Sequence, residues 1–246
     1  LKGLLQKIFK KVIPRKFQLP IYFFYFKNKK YLEPEMFFIE NLVTNKQRFL
    51  DIGANIGIYS YYFRKKFKFI NSFEPLKEVS YGLKALNLKN IEIHNIAISN
   101  KKGKLTLHIP LLSGYPSSGL ASLEKRNSIC QDRKVNVETI DSFAFNDVGL
   151  IKIDVEGHES SVLKGAIKTI NRCKPIILVE IEQRHNKRSI QEVFSEFLDI
   201  DYDGFFLIKN KLTSISEFVY IKHQKNYLDD SSNNIYINNF IFIPKA

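Results

Sequence analysis

From residue 33 onward, short runs rich in Ile, Val and Phe alternate with segments of helical period, and this alternation constrains the fold more than any other feature of the chain. The runs "RFLDIG" (48–53), "KFINSFEP" (68–75), "IEIHNIAIS" (91–99), "GLIKIDVEG" (149–157), "PIILVEIE" (175–182), "GFFLIK" (204–209) and "NFIFIP" (239–244) are bounded by turn residues and predict strands. Helices are predicted over 57–66, 76–87, 159–171 and 189–198. Strands that alternate with helices need crossover connections. The sheet is therefore expected to be mainly parallel, covered on both faces, with ligands held in the crevice beyond the strands' carboxyl ends. "KLTLHIP" (104–110) and "KVNVETI" (134–140) alternate more strictly and predict a hairpin or edge strands around a loop at 111–133. With 246 residues, 44% of them hydrophobic, one core can be filled, so residues 33–246 read as one domain preceded by a segment 1–32.

That preceding segment carries the charge asymmetry. Nine of the 38 Lys and Arg residues, and none of the 25 Asp and Glu, fall within residues 1–30, which leaves the body only mildly basic. Leu1, Leu4, Leu5, Ile8, Phe9, Val12 and Ile13 recur at helical spacing, with Lys2, Gln6, Lys7, Lys10 and Lys11 opposite, until Pro14 ends the pattern. Two readings of this basic amphipathic helix stand side by side. It is an interfacial anchor on an anionic membrane, helped by the aromatic cluster "IYFFYF" (21–26), or it packs on its own domain. No apolar run reaches the ~20 residues of a membrane span, and no signal peptide is evident. Cys130 and Cys173 lack paired spacing, which fits a reducing compartment. A cytoplasmic protein is expected, peripheral to the inner face of the membrane if the helix is an anchor. The chain begins at Leu1 and not at Met, so residues can precede it, and heavy use of Lys, Asn, Ile and Phe points to an AT-rich bacterial genome.

The first strand leads into "RFLDIGANIGIYS" (48–60), where Asp51 meets Gly53 and Gly57 and then a helix. Gly53 permits a sharp turn and close approach of a ligand, and Gly57 permits close passage as the helix begins. The G-x-x-x-G spacing is not the dinucleotide G-x-G-x-x-G, and Asp51 would be a poor neighbour for pyrophosphate. An acid beside exposed helical N–H groups suits a ligand with both an amine and a carboxylate. Glu74 closes the second strand, where an acid can accept from both hydroxyls of a ribose. A tight structural turn and a solvated carboxylate before Pro75 are the plainer alternatives. Taken together, the two acids and the glycine turn point to a ribose with an aminoacyl end, the parts of S-adenosylmethionine.

In order along the chain, "FLDIGANIGIYS", "FEP", "NIAIS", "SSGLASL", "VETID", "IKIDVEGHESSVLKGA" and "PIILVEIE" resemble the FkbM family of S-adenosylmethionine-dependent methyltransferases, over roughly residues 48–182. "DIGANIG" marks the broad methyltransferase class, whereas "KIDVEGHE" followed by "VLKGA" is much more specific. The resemblance implies a class I, Rossmann-like α/β fold: a seven-stranded, mostly parallel sheet with helices on both faces and an antiparallel last strand. It implies O-methylation of sugars or related hydroxylated compounds. It also implies that the cofactor lies on Asp51, Gly53, Asn55 and Gly57, with Glu74 on the ribose and Asn95 or Ala97 beside the adenine.

Asp154, Glu156, His158 and Glu159 surround the end of the fourth strand of such a sheet, and Glu180 and Glu182 the end of the fifth. A sugar hydroxyl is a weak nucleophile and needs positioning and a proton acceptor, roles open to Asp154 and His158. Glu156 and Glu159 read better as caps or partners of lysines such as Lys152 and Lys164. Asp154 and Glu180 also offer oxygen ligands to a hard cation, although the spacing assigns no metal. The loop "PLLSGYPSSGLASLEKR" (110–126) suits a cover over the crevice, with Ser118, Ser122 and Glu180 as candidate acceptor contacts. The expected activity is methyl transfer to a hydroxyl of a saccharide or glycan precursor. Nucleic acid or protein methylation is the alternative enzyme reading, and the chain lacks an Asn/Asp-Pro-Pro-aromatic tetrapeptide, which argues against base-amine methylation. A non-catalytic cofactor-binding scaffold at a membrane surface is the third reading.

Overall fold

The computed structural model describes residues 12–125, 128–228 and 235–245. Its strands are β1 (Arg48–Ile52), β2 (Phe69–Phe73), β3 (Ile91–His94), β4 (Ala97–Ile98), β5 (Gly103–Leu112), β6 (Tyr115–Pro116), β7 (Cys130–Glu138), β8 (Val148–Ile153), β9 (Ile176–Glu180), β10 (Tyr202–Ile208), β11 (Lys211–Ser214) and β12 (Asn239–Pro244). The main sheet runs β11-β10-β12-β9-β8-β1-β2-β3. Pairing is parallel from β9 through β8, β1 and β2 to β3, and β12 lies antiparallel between β9 and β10. This is the methyltransferase-like α/β arrangement with an antiparallel last strand.

The expected seven strands are corrected to eight. β11 folds back on β10 across Lys209 and Asn210, both with positive φ, as a two-residue hairpin requires. No Asn-Gly or Asp-Gly signal announces that turn, so the extra strand was not legible. The strictly alternating segments do pair antiparallel, with Leu105 opposite Val135, in a second sheet ordered β4-β7-β5-β6. Two helix expectations are also corrected. The segment 76–87 holds only the helix Tyr81–Lys84, and 159–171 divides at Gly165 and Ala166 into Glu159–Lys164 and Ile167–Cys173. Gly165 is fixed there because a Cβ would lie 2.0 Å from the carbonyl oxygen of Ser99. Helix Ile190–Leu198 starts on a capping box of Ser189 and Glu192.

Alternation along the central strands divides the core. Leu50, Ile52, Ile151, Ile153, Ile177 and Val179 face one layer, with Val162, Ile170, Val193 and Phe197 from the helices. Phe49, Leu150, Leu178 and Ile241 face the other, against Met36 and Ile39 of helix Pro34–Leu42 and Phe63 of helix Ile58–Phe63. Each such fully buried side chain contributes roughly 1.5–3 kcal/mol. Both layers clamp the strands, so the residues at the strands' carboxyl ends are held on a rigid frame.

Most of the expected amphipathic helix, residues 1–11, lies outside the described residues, including Lys2, Lys7, Lys10 and Lys11. The aromatic cluster after it belongs to a helix of its own, Arg15–Asn28. That helix packs on the domain through Leu19, which is fully buried, and through Phe23, whose ring lies 5.3 Å from that of Tyr61. Among the described residues no helix is long and apolar enough to cross a membrane.

Candidate functional site

The glycine turn is built by two close approaches. Gly53, with φ +76°, follows β1, and a Cβ on it would lie 1.8 Å from the carbonyl oxygen of Asp154. The Asp154 N–H in turn donates to the Ile52 carbonyl at 3.0 Å, so the ends of β1 and β8 are locked together. Gly57, with φ +88°, precedes helix Ile58–Phe63, where a Cβ would meet the Leu83 side chain at 2.7 Å. Gly53 lines the crevice, whereas Gly57 serves helix packing behind it.

Gly53, Asn55, Glu74, Ala97, Ser118, Ser122, Asp154 and His158 line one cavity. Glu74 is its buried acid. Its Oε2 accepts from the Asn55 N–H and its Oε1 from the Leu76 N–H, each at 2.9 Å. Burial outweighs these bonds and pushes the carboxyl up to about 7. Phe73, Ala97, Ile98 and Leu107 form an apolar wall beside it. A carboxylate with remaining lone pairs next to such a wall fits a ribose followed by a flat base. Asn95 stands behind this wall: its amide donates to the Glu74 carbonyl at 3.1 Å and to the Ser80 hydroxyl at 3.2 Å, which braces the acid's backbone.

Asp51, expected from the sequence to meet the amine of a ligand, is fully buried. Its Oδ2 accepts from the Ser60 N–H at 3.1 Å and the Ser60 hydroxyl at 2.6 Å, tying β1 to the helix after the turn. Across the strands Asp51 is in register with Lys152, a lysine buried within an otherwise apolar strand. Lys152 Nζ donates to Asp154 Oδ2 at 2.9 Å. Burial alone would lower the ammonium, but the Asp154, Asp51 and Glu33 carboxylates outweigh it and hold it above its usual range. Burial raises the carboxyls of Asp51 and Glu33, and Glu33 accepts from the Tyr59 hydroxyl. Glu33, Tyr59 and Lys152 line a second cavity with Gly53, Asn55 and Asp154. Asp154 therefore faces both cavities. Sequence reasoning named Lys152 only as a possible ion partner and missed Glu33 and Tyr59. The legible signal was a lone lysine inside "GLIKID".

His158 is held at both ring nitrogens. Nδ1 lies 2.8 Å from Glu124 Oε1 and Nε2 lies 2.8 Å from the Ser99 hydroxyl. The bond from His158 holds the Glu124 carboxyl below its usual range. Ser122 is similarly engaged, donating to the Glu156 carbonyl at 2.7 Å and accepting from the Glu124 N–H at 3.0 Å. His158, Glu124 and Ser122 thus pin the described part of the loop, residues 110–125, to the end of β8. Glu124 and Ser99 were not anticipated, because nothing local in the sequence ties them to His158.

The remaining acids take structural partners. Glu156 pairs with His185 at 2.6 Å, and Glu159 accepts from the Gly157 N–H at 2.6 Å, its carboxyl pushed by burial up to about 7. Lys164, expected near these acids, pairs with Glu196 instead. Glu180 accepts from the Asn238 amide at 2.6 Å, and burial together with the Asp154 and Glu33 charges raises its carboxyl well above the usual range. Glu180, a candidate acceptor contact from the sequence, lines neither of these two cavities. Glu182 accepts from the Tyr236 hydroxyl at 2.6 Å. Among the described residues no group of three or more His, Cys, Asp or Glu side chains is arranged to hold a metal ion.

Residues 51–205 match the model of the methyltransferase FkbM domain. No curated protein matches the chain. Among solved structures, methyltransferase FkbM from Methylobacillus flagellatus KT superposes with a TM-score of 0.52 at 17% identity, covering 80% of this chain and 44% of that one. The chain spans less than half the length of that protein, and a likeness at this identity establishes the fold. An rRNA methylase from Streptococcus thermophilus aligns with a TM-score of 0.45 at 10% identity, over 86% of this chain and 93% of its own. A TehB-like SAM-dependent methyltransferase from Corynebacterium glutamicum ATCC 13032 aligns with a TM-score of 0.43 at 10% identity, over 92% of this chain and 100% of its own.

Proposed function

The chain belongs to the FkbM methyltransferase family, and from that premise we propose that it is an S-adenosylmethionine-dependent O-methyltransferase acting on a hydroxyl of a saccharide or glycan precursor. The observation that carries this reading is the single cavity shared by the Glu74 and Asp154 carboxylates on either side of Gly53. Bound S-adenosylmethionine supplies an electrophilic methyl group. Glu74 would accept from the ribose hydroxyls, the backbone at Gly53 and Asn55 would admit the aminoacyl end, and Phe73, Ala97, Ile98 and Leu107 would face the base. Asp154 would accept a hydrogen bond from the acceptor hydroxyl, orient it and take its proton as the oxygen bonds to the methyl carbon and the methyl–sulfur bond breaks, the electron pair leaving on the neutral thioether. Lys152 keeps that carboxylate in place. His158 is a positioning residue, since one of its nitrogens holds Glu124 of the loop wall and the other Ser99 after β4, and Ser118 is the acceptor contact we assign to that wall.

A polar rim of Ser118, Asp154 and Glu156 supports a hydroxylated acceptor over an apolar one. We place the reaction in the cytoplasm, at the inner face of a membrane. The test is transfer of labelled methyl groups to a panel of glycans, RNA and proteins, combined with calorimetric binding of S-adenosylmethionine. Label on a glycan hydroxyl supports the reading. Label in RNA or protein replaces the acceptor, cofactor binding without any transfer leaves a non-catalytic scaffold, and absence of cofactor binding overturns the cofactor assignment.

A further inference from the structure

We propose that the outward face of helix Arg15–Asn28 docks on the surface of an anionic lipid bilayer. Its middle, residues 19–26 ("LPIYFFYF"), is apolar or aromatic at every position, a composition that ordinarily belongs to a helix buried on every side. The domain covers only half of it. Leu19 and Phe23 face inward, where Phe23 meets Tyr61 and Tyr62 and Arg15 sits 4.5 Å over the Tyr81 ring. On the opposite side Phe17, Ile21 and Phe24 follow one another at i, i+4 and i+7, with Tyr25 beside them. They are 49%, 42%, 65% and 48% exposed, and Tyr31 just beyond the helix is 66% exposed.

Charge selects the occupant. Lys16 and Lys27 flank the stripe, and Lys29 and Lys30 follow at its end, while no Asp or Glu occurs before Glu33. An aromatic stripe rimmed by lysines complements anionic headgroups above an acyl layer. A second copy of the chain is a poorer fit, because two such faces would oppose lysine to lysine with no carboxylate between them. Phe26 and Tyr31 also line the second cavity beside Asp154, so the docked face would hold that cavity's mouth near the lipid surface. The inference stands on this helix and does not depend on the methyl-transfer reading.

This chain contains no tryptophan, so Phe24→Trp gives it a single tryptophan reporter. Vesicles of phosphatidylglycerol and phosphatidylcholine should shift its emission to the blue, and brominated acyl chains should quench it. Vesicles of phosphatidylcholine alone should bind weakly, and high salt should release the anionic ones. In vesicle flotation the exposed pair Phe17→Ser/Phe24→Ser should bind roughly tenfold less or weaker still, with an unchanged melting curve. Lys27→Glu/Lys29→Glu/Lys30→Glu should abolish the preference for anionic lipid. The proposal is overturned if the emission of the Phe24→Trp variant stays unshifted with anionic vesicles. Flotation of the Phe17→Ser/Phe24→Ser variant equal to the parent would overturn it too, by moving binding to another segment. A blue shift that rises with protein concentration without lipid would equally overturn it in favour of self-association.

Discussion

The carbonyl oxygen of Asp154 occupies the space a Cβ on Gly53 would need, at 1.8 Å. The turn after β1 and the end of β8 are thus pressed together at the point where the two carboxylates of the proposed site share a cavity. Replacing Gly53 with Ala must both adopt a positive φ and push β8 away. We expect Gly53→Ala to lose at least about 2 kcal/mol of stability and to abolish S-adenosylmethionine binding. Urea denaturation alongside calorimetry checks both, and a stable variant that binds normally would refute the role of this contact.

Glu74 should dominate cofactor affinity. Removing a buried acceptor of two ribose hydroxyls in Glu74→Ala should weaken S-adenosylmethionine by roughly 2–4 kcal/mol. Its carboxyl is raised to about 7, so it gains a proton as pH falls through that value and then accepts poorly. Affinity is therefore expected to drop between pH 8 and 6 in the parent and to be flat in Glu74→Gln. For the protein alone the sign reverses. Between its unfolded value, near 4.5, and about 7 the folded state retains a proton that the unfolded state has lost, so this group makes stability fall as pH rises through that window. Titration calorimetry and urea melts across pH separate the two effects.

Asp154 and His158 should respond differently. Asp154→Asn keeps the shape but removes the proton acceptor, so single-turnover methyl transfer should fall by about 100-fold or more with little change in cofactor affinity. His158→Gln should lower stability by about 1–3 kcal/mol through the loop bonds it breaks, and retain transfer within about tenfold of the parent. The reverse ranking would make His158 the base.

Lys152 neutralises several buried acids at once. Lys152→Met should cost about 3–5 kcal/mol, because the carboxylates of Asp51 and Glu33 lose their compensating charge. The loss should shrink at low pH, where those acids protonate. Urea melts at pH 5 and 8 give the comparison, and a variant as stable as the parent at both would show that the cluster needs no cation.

Much of the site was legible because it lies where a local pattern ends. The strand "RFLDI" stops at a glycine that only a tight turn explains, Glu74 follows "FINSF", and Asp154 follows "GLIKI". Strand ends are visible in hydrophobic periodicity, and a parallel sheet brings its carboxyl ends to one crevice. The eighth strand was hidden, since Lys209 and Asn210 adopt the hairpin conformation without the usual turn residues.

The sequence by itself determined the α/β class, the parallel centre of the sheet and the residues at the mouth of the crevice, because side-chain periodicity and turn chemistry act over a few neighbouring positions. Which of those residues face the cavity was decided only by tertiary structure. Asp51 turns inward because strand register sets it beside Lys152, and His158 is clamped because packing brings Ser99 and Glu124 to its two nitrogens. Gly57 is required by its left-handed φ and by the close approach of Leu83. These pairings join residues far apart in the chain, and a buried charge or polar atom takes whichever partner the packed elements bring within hydrogen-bond reach.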